Sequence, residues 1–428
     1  MQLEKHNIEH HISKNREGTY YTIDFPMPDG CERVTVSYSY TRFTGRFKKL
    51  YEIVNVVDLG LMDADDRFIG WSGSARNSVF VGLYASTQGY SMVPLKPGIW
   101  KIIIGAYRIP SDGLDVHYEI SYTKSGARWF AGDLHMHSNA SDGQHDIFSL
   151  TQIAIKKRLD FIAVSDHNNY SENIHLPVVP GLTIIPAVEW THYFGHMNFL
   201  GVKSPFRNSF IANNEDEMKE LVYNAKKMGA LISVNHPKCS ICPYLWESDS
   251  CFDMIEVWNG PMRKTNMDAI EWWHEMLKSG RRIPLVGGSD FHKSHRVVKM
   301  GNPVTFVYAD SPSKEDILYA ISRGNSYVTS SVKGVRLELF CEKSIMGDTA
   351  SHKPGQILSV LADKVKPGMH LQLISNEGIS AQWKSFKKGK LKTEIHISES
   401  WDFVYLMAER NFAGKKFCCA ITNPIYFI

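Results

Sequence analysis

The chain has 428 residues, of which 43% are hydrophobic and 22% charged, and its 48 Lys and Arg against 45 Asp and Glu give a formal net charge of +3. This composition is typical of a globular protein of two or three domains, and the near-neutral balance argues against a protein that coats nucleic acid or a membrane surface. No apolar run is long enough for a transmembrane helix, and the polar start shows no secretory signal. The seven cysteines are too few, and odd in number, for a disulfide framework, so we expect a cytoplasmic protein with reduced thiols.

Residues 1–127 contain short runs in which apolar and polar residues alternate. The runs 34–40, 78–84 and 100–107 show the period of two that is typical of β-strands, and turn residues separate them. No helical pattern interrupts these runs. We therefore predict an N-terminal β-sandwich domain over residues 1–127.

Residues 128–330 alternate apolar runs with amphipathic helical segments. Asn214 is placed to cap a helix over 215–228 that Gly229 ends, and Ser311-Pro312 is placed to open a helix that Gly324 closes. Repeated β–α units predict parallel strands with helical crossovers, and their number favours a barrel. The apolar runs are 161–164, 182–185, 197–200, 231–234, 254–257, 283–286 and 304–307.

Residues 331–428 return to strand patterns. Alternation at 335–340, at 371–374 and near 403–406 predicts a C-terminal β-rich domain over 331–428.

Histidines and carboxylates recur where the apolar runs of the middle segment end. His135 and His137 are two residues apart in a predicted strand, so they share a face and can bind one ion together. Barrel enzymes place their active sites at the C-terminal strand ends, and imidazole and carboxylate ligands suit Zn²⁺, Mn²⁺ or Fe²⁺. More ligands are present than one tetrahedral ion needs, so we expect two or three divalent ions. The candidate ligands are His135, His137, Asp142, His167, Glu189, His196, His236, Asp290 and His292.

The motifs His135–Gly143, Ser165–His167, Asn235–Pro237 and Gly288–His292 resemble the four motifs of the PHP (polymerase and histidinol phosphatase) superfamily. Flanking segments are similar to its CehA/McbA, or carbaryl-hydrolase-like, branch, among them Gly195–Gly201, Ile255–Gly260 and Thr422–Tyr426. The resemblance implies an α/β fold: a distorted (β/α)7 barrel that typically binds three ions, flanked by an N-terminal β-sandwich and a C-terminal β-rich, immunoglobulin-like domain.

The same resemblance implies a ligand arrangement. The first ion would be held by His135, His137, Glu189 and Asp290. Glu189 would bridge to a second ion, completed by His196 and His236. The third ion would be held by Asp142, His167 and His292, with Asp142 standing where many relatives have histidine. Asp166 is interpreted as a residue that orients a ligand histidine and does not bind an ion itself.

These features lead to the hypothesis of a metal-dependent hydrolase of the phosphoesterase type (EC 3.1). Water bridging two ions would become the hydroxide nucleophile, with catalytic roles for Glu189, Asp290 and His292. We expect a small-molecule phosphoester or ester substrate and neither nucleic acid nor membrane as a partner; the sequence leaves the oligomeric state open. The candidate substrate contacts are Lys238, Arg263, Lys293, Arg296 and His192.

Three alternatives remain. The same metal cluster could hydrolyse a carboxylic ester, carbamate or amide, because aromatic residues are as frequent near the ligands as cations are. A non-catalytic binding module is disfavoured because all nine candidate positions hold competent ligand types. Polymerase proofreading is disfavoured because the chain lacks broad positive charge. Cys239, Cys242 and Cys251 are interpreted as thiols lining the mouth of the site, in preference to a zinc or redox site.

Overall fold

The computed structural model describes residues 3–43, 55–124, 126–248, 251–353, 355–385, 387–412 and 414–428. Contacts divide the chain into two compact units, 1–126 and 127–428. The fold is mixed α/β and rich in strands, and within the described ranges the α-helices all lie in the second unit. No described helix is long and apolar enough to cross a membrane. The further division of the second unit at residue 330 stays a prediction.

The first unit consists of two four-stranded antiparallel sheets, in the orders β1-β8-β3-β6 and β2-β7-β4-β5. Strand β8 buries every second residue, as its sequence pattern predicts. Val36 and Ile120 from the first sheet and Leu61 and Ile104 from the second belong to one buried cluster, so the two sheets share a core. The strands are β1 (Leu3–Ile12), β2 (Thr19–Met27), β3 (Cys31–Tyr40), β4 (Val56–Met62), β5 (Phe68–Gly73), β6 (Ser78–Gly82), β7 (Gly98–Arg108) and β8 (Leu114–Lys124).

In the second unit, each of the seven apolar runs of the middle segment forms a strand, which confirms their prediction. The strands here are β9 (Arg128–Asp133), β10 (Phe161–His167), β11 (Thr183–His192), β12 (Gly195–Leu200), β13 (Leu231–Asn235), β14 (Met254–Asn259), β15 (Leu285–Gly288), β16 (Val304–Ala309) and β17 (Ser326–Thr329). The helices are α1 (Ile147–Lys157), α2 (Ser171–Ile174), α3 (Glu215–Lys227), α4 (Lys264–Lys278) and α5 (Lys314–Arg323).

These strands are not all parallel, which corrects the expectation of parallel strands with helical crossovers. Strands β9, β10 and β11 run parallel, as do β13, β14 and β15, but β12 is antiparallel to both β11 and β13. The reason is the connection. Only Tyr193 and Phe194 separate the paired residues His192 and Gly195, and a two-residue turn can join only antiparallel strands.

Strands β9 and β15 approach each other beyond their C-terminal ends. Met136 forms an isolated parallel bridge with Phe291. His137 N donates to Phe291 O at 2.9 Å, and Asp290 N donates to His135 O at 2.9 Å. The backbone after β9 therefore lies against the backbone after β15, where both carry candidate ligands.

Local signals account for the helix ends. Asn214 accepts a hydrogen bond from Glu217 N at 3.0 Å and caps α3, as predicted. Gly324 ends α5 in the left-handed conformation, also as predicted. The start of α5 differs: Ser313 is its N-cap, since its hydroxyl accepts from Asp316 N, and Ser311-Pro312 lies just outside the helix.

The C-terminal strands continue the same sheet, because β17 pairs with β26 and β26 with β25. A separate sheet has the order β19-β18-β21-β24. The strands are β18 (Arg336–Cys341), β19 (Ser344–Ile345), β20 (Thr349–Ala350), β21 (Ile357–Val365), β22 (Met369–Ser375), β23 (Gly378–Lys384), β24 (Gly389–His396), β25 (Phe403–Phe412), β26 (Lys415–Thr422) and β27 (Ile425–Phe427).

Candidate metal centre

The nine candidate ligands meet at one edge of the β9–β15 sheet. His167 ends β10 and is in register with Glu189 on β11. His196 stands at the start of β12, but because β12 is antiparallel its start lies at the same edge, in register with Asn235 at the end of β13. Strand direction and strand ends therefore act together to collect side chains that are far apart in the chain.

Glu189 lies at the centre of this group, with its side chain only 1% exposed. Oε1 is 3.3 Å from His135 Nε2, 3.2 Å from His196 Nδ1 and 3.3 Å from His236 Nε2. Oε2 is 2.9 Å from His167 Nδ1 and 3.5 Å from His137 Nε2. Five imidazoles thus surround one buried carboxylate.

Asp290 contacts the first two histidines from the other side. Its Oδ1 is 3.1 Å from His137 Nε2 and 3.5 Å from His135 Nε2. Asp290 has a φ of 52°, in the left-handed region that is uncommon outside glycine and is frequent at functional sites. The turn that this conformation allows directs the carboxylate towards the two imidazoles.

The predicted third set lies at the more exposed end. Asp142 Oδ1 is 3.3 Å from His292 Nε2 and 3.7 Å from His167 Nε2, and its side chain is 57% exposed. His137, Asp142, His167 and His292 can direct one ligand atom each to points within 4.8 Å of one another. The carboxylate at position 142 is therefore compatible with an ion site open to solvent.

The electrostatics of the centre follow from burying acids and bases together. Burial opposes the protonation of His135 and of His236, but nearby groups, Glu189 and Glu256 among them, raise the pKa of both imidazoles well above the usual value. Burial also opposes the ionisation of Glu189. The neighbouring imidazoles, His135 above all, outweigh this effect, so the pKa of that carboxyl lies well below its usual value. The centre consequently holds negative carboxylates that attract cations.

Several buried atoms of the centre have no hydrogen-bond partner among the described residues, namely His135 Nε2, His137 Nδ1 and Glu189 Oε2. Two of them nevertheless lie close to other polar atoms, since Glu189 Oε2 is 2.9 Å from His167 Nδ1 and His135 Nε2 is 3.3 Å from Glu189 Oε1. Short distances without hydrogen-bond geometry, combined with an imidazole and carboxylate donor set, fit divalent ions such as Zn²⁺, Mn²⁺ or Fe²⁺.

The sequence did not predict that Glu256 and Thr191 contact ligand histidines, and it placed Cys242 only at the mouth of the site. Thr191 Oγ1 is 2.6 Å from His167 Nδ1. Glu256 Oε1 is 3.0 Å from His135 Nδ1, and Cys242 Sγ is 3.6 Å from His236 Nδ1. Cys239 and Cys242 have their sulfurs 3.3 Å apart, so this pair of thiols lies beside a candidate ligand. Glu256 lies within the segment Ile255–Gly260 that was noted in the sequence. The only indication of its role there was that it is an acidic residue inside an apolar strand.

Asp166 has a different set of contacts from the one expected. Its carboxylate accepts from Ser138 N, Ser138 Oγ and Ser141 Oγ, each at 2.7 Å. It therefore fixes the loop between His137 and Asp142, and within the described residues its carboxylate forms no hydrogen bond to an imidazole.

A cavity of about 640 Å³ adjoins the centre at His196 and Cys242. Of the five predicted substrate contacts, His192 lines it, packed against both Trp190 and Trp246 at ring distances of 5.4 and 4.8 Å. Neither lysine nor arginine is among the described residues that line this cavity. The aromatic and apolar lining residues are Trp190, Tyr193, Phe210, Ile211, Ala212 and Ile241.

The predicted cationic contacts lie outside the lining of this cavity. Lys238 places its ammonium 4.8 Å above the ring of Trp272. Arg263 precedes α4 as its N-cap residue. Lys293 and Arg296 are exposed in the segment after His292.

No protein-family model and no curated protein matches the chain. Among solved structures, a two-domain protein from Bacteroides vulgatus, described as containing a PHP-like metal-dependent phosphoesterase, is similar with a TM-score of 0.42 and 19% identity over 69% of this chain and 96% of its own. A protein from Bifidobacterium adolescentis that is described as a metal-dependent phosphoesterase has a TM-score of 0.29 and 16% identity over 40% of this chain and 90% of its own. An amidohydrolase from Chromobacterium violaceum, with bound sulfate and no metal, has a TM-score of 0.27 and 13% identity over 39% of this chain and 89% of its own. At this low similarity, the geometry of the site alone supports the function proposed below.

Proposed function

We propose that the protein is a metal-dependent hydrolase whose centre is built around Glu189. The observation that carries this proposal is the arrangement of five imidazole nitrogens within 3.5 Å of the two oxygens of one buried carboxylate. A carboxylate with imidazoles on both oxygens can bridge two ions. Divalent ions held there would polarise the substrate and lower the pKa of water enough to supply a nucleophile near neutral pH.

The protein side chains would hold two or three ions. The groups of neighbouring ligand atoms match the sets predicted from the sequence only in part, because His196 and His236 are grouped with Cys242 and not together with Glu189. His135, His137 and Asp290 are grouped together, and Glu189 is grouped with His135 and His236 as well as with His167 and His196. Asp142, at the exposed end with His167 and His292, would give a third ion access to the substrate. Glu256 and Cys242 would fix the orientation of His135 and His236.

We propose a phosphoester as the first substrate class. Phosphoryl oxygens carry charge that must be neutralised, and the cavity offers no lysine or arginine within the described lining, so this task would fall to the ions. The aromatic wall would receive an apolar or aromatic group of the substrate, next to the ligand His196. This arrangement favours a phosphoester with one bulky apolar substituent over a free sugar phosphate.

A carboxylic ester, carbamate or amide is the second candidate, and the same wall favours it. Trp190, Tyr193 and Phe210 present apolar surface, and acyl substrates develop less charge than phosphoryl groups do. The chemistry of the ions would serve either class.

We also propose the finer fold assignment, a distorted seven-stranded barrel of the PHP type in its CehA/McbA branch. Its support is the continuous strand order β9 to β15 together with the bridge between Met136 and Phe291. The motifs quoted from the sequence provide the ligands at the expected strand ends.

A screen of the metal-loaded protein with p-nitrophenyl phosphate, bis-p-nitrophenyl phosphate and p-nitrophenyl acetate tests the function. Glu189→Gln keeps the size of the side chain and removes its charge, so we expect a loss of turnover of at least about 100-fold with an unchanged circular dichroism spectrum. Glu220→Gln, on the exposed face of α3, is the matched control and should retain wild-type rates. Absence of any hydrolysis with Mn²⁺, Zn²⁺ or Fe²⁺, or full activity in Glu189→Gln, would overturn the proposal.

A further inference from the structure

A second cavity, of about 550 Å³, lies in the same unit and shares no lining residue with the aromatic cavity beside the metal centre. It is formed by the end of α1, the segment before β16, the segment that leads into β18, and β21. Six cationic side chains line it: Lys156, Lys157, Arg158, Lys333, Arg336 and Lys364. We refer to it as the cationic cavity.

These cations have few internal partners. Of the ion pairs within 4.0 Å among the described residues, none includes any of the six. Within the described residues, the only hydrogen bond formed by the charged group of any of the six runs from Lys364 Nζ to Val332 O at 3.4 Å. Asp363 is in register with Arg336, but its carboxylate is 4.0 Å from Lys390 on the neighbouring strand. The cavity therefore carries an excess of positive charge.

Helix capping accounts for only part of this excess. Lys156 and Lys157 are in the last turn of α1, where cations interact favourably with the helix dipole, and Arg158 follows in the left-handed conformation with a φ of 61°. Arg336 lies on β18 and Lys364 on β21, two neighbouring strands of the separate four-stranded sheet. The dipole of α1 does not reach them. Three separate parts of the chain thus direct like charges into one concave space.

Like charges held together repel one another, which costs stability unless an anion compensates them. Burial and the charge of Arg336 lower the pKa of Lys364, and the nearby Asp363 opposes them only in part. The volume is in the range of small-molecule binding sites. Guanidinium groups such as those of Arg158 and Arg336 suit phosphate oxygens because they can donate two parallel hydrogen bonds.

We propose that the cationic cavity binds a small anion with several linked phosphate groups. A concave space of this size favours a compact ligand over the extended backbone of a nucleic acid. The anion would connect α1 with β18 and β21 and would therefore stabilise the second unit by binding only its folded form. This site is independent of the hydrolase function proposed above.

Isothermal titration of the metal-loaded, full-length protein with inorganic triphosphate tests the proposal, with inorganic phosphate and a short DNA duplex as the other two probes. We expect triphosphate to bind at least about tenfold more tightly than phosphate, since it can contact several cations at once. The double variant Lys157→Gln/Arg336→Gln should weaken triphosphate binding by about tenfold or more. The control Lys203→Gln/Lys343→Gln removes two exposed charges elsewhere and should change the affinity by less than about twofold.

Triphosphate also binds metal ions, so a Glu189→Gln arm separates the two sites. Retained binding in Glu189→Gln together with its loss in the cavity variant supports the cationic cavity. Binding that survives in the cavity variant, or that is lost in Glu189→Gln, would assign the triphosphate to the metal centre and overturn the proposal. Equal affinity for phosphate and triphosphate, or tighter binding of the DNA duplex that depends on the same two cations, would also overturn it. Thermal unfolding of each variant without ligand shows that it is folded.

Discussion

Glu256 Oε1 lies 3.0 Å from Nδ1 of His135, and both side chains are buried. His135 can therefore donate Nδ1–H to a carboxylate while its Nε2 faces Glu189 and Asp290. A ligand histidine held in this way has a fixed tautomer and ring orientation.

Replacing Glu256 should therefore weaken metal binding without removing a ligand. We expect Glu256→Gln to raise the dissociation constant by about tenfold and Glu256→Ala by up to about 100-fold, because the alanine variant leaves His135 Nδ1 unpaired. Competition with a chromophoric chelator measures the affinity. Glu220→Gln serves as the control, and an unchanged affinity in both Glu256 variants would show that His135 needs no such support.

Cys242 is expected to act on His236 in the same manner. Its sulfur is 3.6 Å from Nδ1, while Nε2 of the same ring is directed towards Glu189. Cys242→Ala should reduce metal affinity by about 10-fold to 100-fold. In Co²⁺-loaded protein, a thiolate-to-metal charge-transfer band that disappears in Cys242→Ala would instead identify Cys242 as a direct ligand. Cys251→Ala is the matched thiol control.

Metal binding should release protons. In the metal-free centre, burial opposes the protonation of His135, His167 and His236. Nearby carboxylates, together with Cys242 at His236, outweigh burial and raise the pKa values of all three, so these imidazoles keep protons to higher pH than free histidine does. An ion needs the unprotonated nitrogen, so protons compete with it and affinity should fall as the pH is lowered. Calorimetry in buffers of different ionisation enthalpy counts the released protons. Equal heats in all buffers would contradict this expectation.

The sheet beneath the centre should be sensitive to a single methyl group. A Cβ at Gly132 on β9 would lie 2.1 Å from the ring of Phe161 on β10, and that ring is fully buried. We expect Gly132→Ala to lower the free energy of unfolding by about 1–3 kcal/mol. Gly126→Ala is the control, since its Cβ would meet nothing within 4 Å. Urea unfolding that gives equal stabilities would show that the strands can move apart without cost.

Much of the fold could be predicted because its signals are local. Alternating burial in β8 and the cap formed by Asn214 are encoded in adjacent residues. The direction of β12 was also encoded, in the two-residue gap before Gly195, but the general βα pattern obscured it. The start of α5 was predicted two residues early because Ser311 and Ser313 both resemble cap residues, and only the hydrogen bond to Asp316 N distinguishes them.

The candidate ligands could be recognised because each belongs to a compact motif. Residues that act through three-dimensional proximity could not. Glu256 is surrounded in the sequence by apolar strand residues. For Cys242 the sequence indicated a place at the mouth of the site, but not the contact with His236. The cations of the cationic cavity come from three segments, 156–158, 333–336 and 364, and the first is more than 100 residues from the other two, so no window of sequence shows them together.

The short turn between β11 and β12 has a consequence for how this protein could diversify. Tyr193 and Phe194 form its tip, and Tyr193, which is 93% exposed, lines the aromatic cavity. The hairpin stem fixes Glu189 and His196 through backbone pairing, which does not depend on the identity of the tip residues. Substitutions or insertions at the tip can therefore change which substrate is accepted while the ions stay in place, so selectivity and reactivity can evolve separately.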